Sequence, residues 1–317
     1  MRLPALPPPP PPRVAPTSRP GSEELLRRLE LQVTRRLDGI LQGDYRGLLP
    51  GPGSEPGEAR VYQPGDDVRL IDWNVTARTT EAHVRMPIAD RELETWVVLD
   101  LSASLDFGTA AWEKRELAVA ALAAVGHLTA RVGNRLGTVL VHAGAATTVP
   151  ARPGREHLRA VLHRALTTPR VDGGGTTDLG TALGMCARLA RRRGLMVLIS
   201  DFLGTAGWER PLRGLAARHE VLAVEVIDPR ELSLPDVGIL SLVDPETGQR
   251  LEVRTSDAKL RARYAEAAAR QREATARALR AAGADHLVLR TDRDWLFDLV
   301  GFVDRRRRRR TAVPARG

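Results

Sequence analysis

The pattern of hydrophobic and polar residues changes near residue 95 of the chain. Beyond that point, short segments that are apolar at nearly every position alternate with segments whose apolar residues recur at helical spacing, as in Leu117, Ala121 and Val125. Strands of continuous apolar character are typical of a parallel sheet that helices cover on both faces. The pattern therefore predicts a doubly wound α/β domain over residues 95–304, with binding sites at the carboxyl ends of its strands. The predicted strands are Thr95–Leu99, Gly137–His142, Leu195–Ser200, Glu220–Ile227 and His286–Leu289, with a hairpin over residues 238–254.

The first part of the chain has a different composition. Residues 1–21 are rich in proline and offer little to bury, so we expect a flexible leader. Ser22 is a suitable N-cap, and leucine or valine then recurs every fourth position, which predicts a helix over residues 22–43 that Gly43 ends.

Residues 44–94 are dense in glycine, proline and charge. Arg60–Tyr62 and His83–Arg85 alternate in polarity as short strands do, and Pro64–Asp67 between them is a strong turn signal. The segment is therefore predicted to form a smaller, β-rich N-terminal lobe beside the α/β domain.

The charge of the chain is unevenly placed. The chain has 48 basic and 39 acidic residues, a net charge of +9, and six consecutive arginines, Arg305–Arg310, contribute much of that excess. Residues 305–317 are predicted to be a basic tail, which is either a solvated, disordered end or an arm for nucleic acid, anionic lipid or an acidic protein face. The first interpretation is favoured, because no nucleic-acid-binding motif accompanies the run and aromatic residues make up only 4% of the chain.

Composition excludes several classes of protein. The single cysteine, Cys186, can form neither an intrachain disulfide nor a cysteine-rich zinc site. The longest apolar stretch, Leu117–Val125, is far shorter than the roughly 20 residues of a membrane span, so we expect a cytoplasmic protein without a transmembrane segment.

Lysine occurs only at positions 114 and 259, and neither follows a glycine-rich turn. An ATP-binding phosphate loop is thereby excluded, and any nucleotide hydrolysis must come from another protein.

Oxygen-bearing side chains follow two of the predicted strands. Asp100, Ser102 and Ser104 come directly after the first strand, and Asp201 comes after the strand Leu195–Ser200. Between them in sequence, three glycines precede Thr176 and Thr177. Carboxylates and hydroxyls are the ligands that Mg²⁺ prefers. The alternative is that these side chains simply cap turns and helices.

The spacing Asp-x-Ser-x-Ser, a threonine after a glycine run and an aspartate at a strand end resemble the metal-ion-dependent adhesion site of von Willebrand factor A domains. The resemblance implies a fold of that Rossmann-like type and a bound Mg²⁺ (or Mn²⁺) whose shell is completed by an Asp or Glu of a partner protein. Thr177 is preferred to Thr176, because Leu183 then stands where the family's helix has its Ala-Leu pair. The metal-binding residues that the resemblance implies are Asp100, Ser102, Ser104, Thr177 and Asp201.

A second group of residues resembles the signature of the bacterial family of domain of unknown function 58, in which the signature precedes a von Willebrand factor A-like domain. That resemblance implies a partnership with a MoxR-type AAA+ ATPase in a chaperone-like or complex-maturation system. The signature segment is either a turn whose ion pairs and buried indole fix the short strands, which is favoured, or a second recognition surface for a partner. Its residues are Arg60, Tyr62, Gly65, Asp66, Asp67, Arg69, Asp72, Trp73 and Arg78.

These observations favour a non-enzymatic, metal-dependent protein-binding module with no catalytic residues. One alternative is a nucleic-acid or anionic-surface binder that acts through Arg305–Arg310. Another is a metal-dependent hydrolase, for which the sequence offers no distinguishable general base.

Overall fold

The structure is a computed structural model, and it describes residues 21–33, 59–64, 66–68, 71–79, 81–85, 93–131, 133–170, 178–204, 206–243 and 249–312. Residues 1–20 of the predicted leader and residues 34–43 of the predicted N-terminal helix lie outside the described residues. The strands are β1 Ala59–Val61, β2 His83–Arg85, β3 Glu94–Asp100, β4 Arg135–His142, β5 Ala145–Arg152, β6 Gly194–Ser200, β7 Glu220–Ile227, β8 Ile239–Val243, β9 Arg250–Arg254 and β10 Asp285–Arg290. The helices are α1 Ser22–Gln32, α2 Trp73–Thr79, α3 Lys114–Arg131, α4 Arg155–Thr167, α5 Leu179–Leu189, α6 Glu209–Ala216, α7 Pro229–Leu232, α8 Ala258–Ala281 and α9 Trp295–Ala312.

Six strands form one central sheet in the spatial order β10-β7-β6-β3-β4-β5. All neighbours are parallel except β5, which runs antiparallel to β4 at the edge. In the middle of the sheet, Val98 of β3 pairs with Val139 of β4 on one side and Leu198 of β6 on the other. The chain order of the six strands reverses between β3 and β6, and the crevice at such a switch point is where ligands bind in open α/β sheets. The prediction of a doubly wound, mostly parallel sheet is confirmed.

The sheet carries a hydrophobic core on each face. Val97 and Leu99 of β3 enter one core, and Trp96 and Val98 enter the other, because successive strand residues point to opposite faces. Gly137 of β4 lies beside Trp96, and a Cβ there would fall 2.7 Å from the indole ring. Helices α1, α3, α4 and α9 close the first core, and α5, α6 and α8 close the second. Helix α3, in the first of these layers, is buried along nearly its whole length.

Two features of the domain differ from the sequence prediction. An additional strand, β5, follows β4 through the two-residue turn at Ala143 and Gly144, both of which have positive φ. Helix α9 continues to Ala312, past the predicted end at Asp304, so Arg305–Arg310 belong to a helix.

Smaller pairs of strands lie outside the central sheet. β1 and β2 pair antiparallel, and β8 and β9 form a separate two-stranded ribbon where the hairpin was predicted. Much of the segment 44–94 lies outside the described residues, so the predicted β-rich lobe stays a prediction. In the part of the chain that the structure describes, no helix has the length and apolar character needed to cross a membrane.

Candidate functional site

The candidate site lies at the switch point of the sheet. Asp100 is the last residue of β3, and Asp201 directly follows the neighbouring strand β6. The two strands are in register up to the pair Leu99 and Ile199, so both aspartates emerge at the same edge. Parallel strands thus bring together carboxylates that are separated by a hundred residues in the sequence.

The loop after β3 brings two hydroxyl groups together. The backbone of Ser102 donates to Oδ1 of Asp100 at 2.9 Å, and a short 3-10 turn over Ala103–Leu105 then reverses the chain. As a result, the Oγ atoms of Ser102 and Ser104 lie 3.0 Å apart in a buried position. Two neighbouring ligands of an octahedral Mg²⁺, each at about 2.1 Å, are about 3.0 Å apart. The distance is that of a hydrogen bond between the two hydroxyls, and it is also the spacing of two ligands on one such ion.

Asp100 positions this loop through both of its carboxylate oxygens. Its Oδ2 accepts a hydrogen bond from the Ser200 hydroxyl at 2.6 Å, while Oδ1 accepts from the Ser102 backbone. Burial and the neighbouring charge of Asp201 raise the pKa of Asp100 to about 6. Asp100 therefore takes up a proton more readily than an exposed aspartate does.

A lysine that the sequence analysis did not assign to the site lies against it. Nζ of Lys114, at the start of α3, donates to Oδ2 of Asp201 at 2.7 Å and also to the carboxylate of Glu231. Burial disfavours the charge of Asp201, but the ammonium holds the pKa of Asp201 below its usual range. Burial also opposes the charge of Lys114, and its two carboxylate partners raise the pKa of Lys114 nonetheless.

The ion pairs continue behind Asp201. Arg272 of α8 donates to the Asp201 carbonyl at 2.9 Å and to Oε1 of Glu225 at 2.7 Å, and it lies 3.4 Å from Glu231. His286 contacts the other oxygen of Glu225 at 2.9 Å. Three carboxylates pair with the two cations Lys114 and Arg272, and a fourth lies beside them, so the site is rich in acidic groups. The four carboxylates are Asp100, Asp201, Glu225 and Glu231.

The donor chemistry fits a hard divalent ion and not a zinc-type site. The described residues contain no group of three His, Cys, Asp or Glu side chains that could hold a metal, so the serine hydroxyls are essential to the set. We call Asp100, Ser102, Ser104 and Asp201 the candidate metal site. The structure brings these four together as the sequence predicts, whereas Thr177, with its alternative Thr176, lies outside the described residues. The assignment of metal ligands stays a prediction.

The signature segment forms a local framework. Arg60 donates to Oδ1 of Asp66 at 2.5 Å, and the backbone of Gln63 donates to Oδ2 of Asp66 at 2.8 Å. Asp72 caps α2 by accepting from the backbone of Asn74 at 3.0 Å.

Its tryptophan is not buried. The sequence interpretation expected an indole that fixes the short strands, but Trp73 is 71% exposed, because it is the first residue of α2 and its side chain faces solvent. Tyr62 is half-buried, and Asp67 and Arg78 are exposed. Gly65 and Arg69 lie outside the described residues.

Several comparisons with known proteins add to this geometry. A family model described as protein of unknown function DUF58 matches residues 58–274. An uncharacterised protein of Mycobacterium tuberculosis is 58% identical over 283 residues, which cover 89% of each chain. An uncharacterised protein of Mycobacterium avium is 53% identical over 162 residues, covering 51% of this chain and 95% of that protein.

Two solved structures are also similar. The conserved hypothetical protein BatB from Bacteroides thetaiotaomicron aligns with a TM-score of 0.39 at 15% identity, covering 68% of this chain and 99% of that one. The SpRpn10 VWA domain aligns with a TM-score of 0.37 at 12% identity, covering 66% and 93%.

Proposed function

The chain belongs to the DUF58 family, whose function is unknown, and we propose that it is a non-enzymatic protein-binding module that depends on a bound metal ion. The ion is Mg²⁺ or Mn²⁺, and an Asp or Glu of the partner protein completes its shell. The observation that carries the proposal is the 3.0 Å distance between the hydroxyl oxygens of Ser102 and Ser104 at the switch point of the sheet. In this proposal both serines, with Thr177, supply neutral ligands to the ion.

The two aspartates have a supporting role in this proposal. Asp100 uses its carboxylate to hold the Ser102 backbone and the Ser200 hydroxyl, so it orients the loop. Asp201 accepts from Lys114 and from the backbone of Leu203, and its hydrogen bond with the Ser104 hydroxyl supports the serine pair from the side of β6. Because the direct ligands are hydroxyls, the ion keeps net positive charge and attracts an external carboxylate.

The expected partner is a MoxR-type AAA+ ATPase, or a protein brought to one, as the family resemblance implies. This chain has no phosphate-binding loop of its own: Lys114 is buried against Asp201, and Lys259 follows an alanine. Energy from ATP therefore has to come from the partner. Such a partner places the chain in the cytoplasm.

The other two functions gain no support from the geometry. Arg306 is 8% exposed and pairs with Glu220 and Asp285, so part of the arginine run stabilises the fold instead of forming a free arm. Hydrolysis needs a general base at the ion, and the carboxylate oxygens of Asp100 and of Asp201 all accept hydrogen bonds from other groups of the chain.

A pull-down tests the proposal directly. The full chain, immobilised through a tag, is incubated with the purified MoxR-type ATPase of the same organism in Mg²⁺ and in chelator. We expect binding in Mg²⁺ only, and loss of that binding when Ser102 and Ser104 are both replaced by alanine. Ser256→Ala, at an exposed serine, is the matched control. Binding that survives both the chelator and the double substitution would refute metal dependence.

A further inference from the structure

A groove of about 830 Å³ opens directly beside the candidate metal site. Its lining includes Ser104 and Lys114 together with Leu240, Leu242 and Leu251 of the β8–β9 ribbon. Its volume lies within the roughly 300–1,000 Å³ of ordinary ligand sites. The groove therefore has room for several side chains of a bound segment that starts at the metal site.

The ribbon presents an apolar face to this groove. Leu242 pairs directly with Leu251, and Leu240 with Val253, so the four side chains share one face. Leu251 nevertheless remains 62% exposed. Leu240, Leu242 and Val253 are half-buried. Because a two-stranded ribbon is only marginally stable alone, an apolar face that stays partly open to solvent is suited to bind a further segment.

The rim of the groove adds positive charge. Arg230, in α7, lines the groove with an exposed side chain and makes no ion pair with any acidic residue that the structure describes. The acidic residues of the lining, Asp106 and Glu231, are already paired with Arg115 and Lys114. The charge of Arg230, like a metal ion in the site, therefore favours an acidic occupant.

We infer that the groove receives a partner segment in which an Asp or Glu stands next to large apolar residues. The carboxylate reaches the metal site while the apolar neighbours pack on Leu242 and Leu251. This inference rests on the proposed function, and it adds the sequence preference that the metal alone cannot provide. A metal ion discriminates in favour of a carboxylate, whereas the apolar ribbon discriminates in favour of apolar residues next to that carboxylate in the partner.

Short synthetic peptides test this inference. One fluorescent peptide carries a central Asp with a leucine on each side in a Gly-Ser background; a second replaces both leucines by serine, and a third replaces Asp by Asn. Binding to the full chain in Mg²⁺ is followed by anisotropy. We expect the first peptide to bind at least about tenfold more tightly than the second, the effect of burying one leucine, and the third to lose binding.

Substitutions in the chain test whether the leucine-containing peptide binds in the groove. Leu251→Ser should weaken binding of the leucine-containing peptide by about tenfold while the affinity for Mg²⁺ alone stays unchanged. Phe297→Ser is the matched control, since Phe297 is 73% exposed and does not line the groove. Arg230→Ser should weaken binding of the peptide more at low salt than at high salt.

The outcomes separate this inference from the proposed function. If the leucine and serine peptides bind equally well in Mg²⁺ and chelator abolishes the binding of both, the apolar residues do not bind in the groove. The metal-dependent function is then unaffected. Binding of the leucine peptide that resists chelator and tolerates Asn in place of Asp would overturn the metal-dependent function and this assignment of the occupant. An unchanged affinity of the Leu251→Ser variant for the leucine peptide, or no binding of that peptide at all, would also contradict binding in the groove.

Discussion

Nζ of Lys114 lies 2.7 Å from Oδ2 of Asp201, and both side chains are buried. A cation of the protein itself therefore occupies one side of this aspartate of the candidate metal site. The ammonium keeps Asp201 ionised, and its charge also repels a second cation. We expect the candidate metal site to bind Mg²⁺ more weakly than the same ligands would without the lysine.

Replacement of this lysine tests its role. Lys114→Met leaves Asp201 and Glu231 buried without their shared ammonium, which should lower the free energy of unfolding by about 3–5 kcal/mol in chelator. Addition of Mg²⁺ should recover more stability in the variant than in the wild type, because the divalent ion replaces the missing charge. Urea unfolding with and without Mg²⁺ measures both effects.

The chain provides a matched control for this substitution. Lys259→Met changes the only other lysine, which is exposed in the first turn of α8, and it should leave both measurements unchanged. If Lys114→Met is as stable as the wild type in chelator and gains nothing extra from Mg²⁺, the ammonium does not act as the counter-charge of this site.

The C-terminal arginines divide into structural and exposed ones. Arg306 donates to Asp285 at 2.6 Å and to Glu220 at 2.9 Å, and it is 8% exposed. Arg306→Ala should lower the free energy of unfolding by about 2 kcal/mol. This loss is smaller than the loss from breaking a fully buried ion pair, because both carboxylates retain contact with water. Arg309→Ala, at an exposed position of α9, should change it little. Thermal unfolding of the two variants compares them, and equal losses would contradict a structural role of Arg306.

His219 makes stability depend on pH. Its burial, aided by the nearby charges of Arg218 and Arg193, lowers the pKa of the imidazole in the folded protein. The imidazole therefore binds a proton more readily in the unfolded chain than in the folded one. The stability that the neutral, buried imidazole contributes is complete above pH 6.5 and is lost as the pH falls through the folded-state pKa. His219→Leu should lose less stability between pH 7 and pH 5 than the wild type does. Parallel pH profiles of the two proteins would contradict the assignment.

Buried strands could be predicted from the sequence, and exposed ones could not. Leu195–Ser200 is apolar throughout because helices cover both faces of β6, and a short run of this kind is typical of a strand inside a parallel sheet. β5 lies at the edge and contains Thr147, Thr148 and Pro150, so its pattern resembles a loop. The length of α9 was missed because arginines carry no apolar period, although Arg306 is fixed by partners from β7 and β10.

The oxygen-bearing residues of the candidate site were predictable, and the buried cation beside them was not. Asp100, Ser102 and Ser104 are close in sequence, and the order of strands brings Asp201 to them. The contact of Lys114 with Asp201 and Glu231 joins residues 87 and 117 positions apart, which no local pattern encodes. One compositional signal was present: 46 of the 48 basic residues are arginine. That bias singles out two lysines without telling them apart: Lys114 is buried between two carboxylates, where a compact ammonium fits, and Lys259 is exposed.

Metal binding itself should appear as a gain in stability. An ion that binds only the folded chain stabilises it by about 2.7 kcal/mol when its concentration is a hundred times Kd, so Mg²⁺ should raise the Tm in a concentration-dependent way. Ser102→Ala with Ser104→Ala should abolish this increase, because the hydroxyl pair 3.0 Å apart supplies two ligands. Ser256→Ala should retain the increase in full. A Tm that responds to Mg²⁺ equally in the double variant and in the wild type would mean that the ion binds elsewhere on the chain. The serine hydroxyls would then serve only the hydrogen bonds that they make with each other and with Asp100 and Asp201.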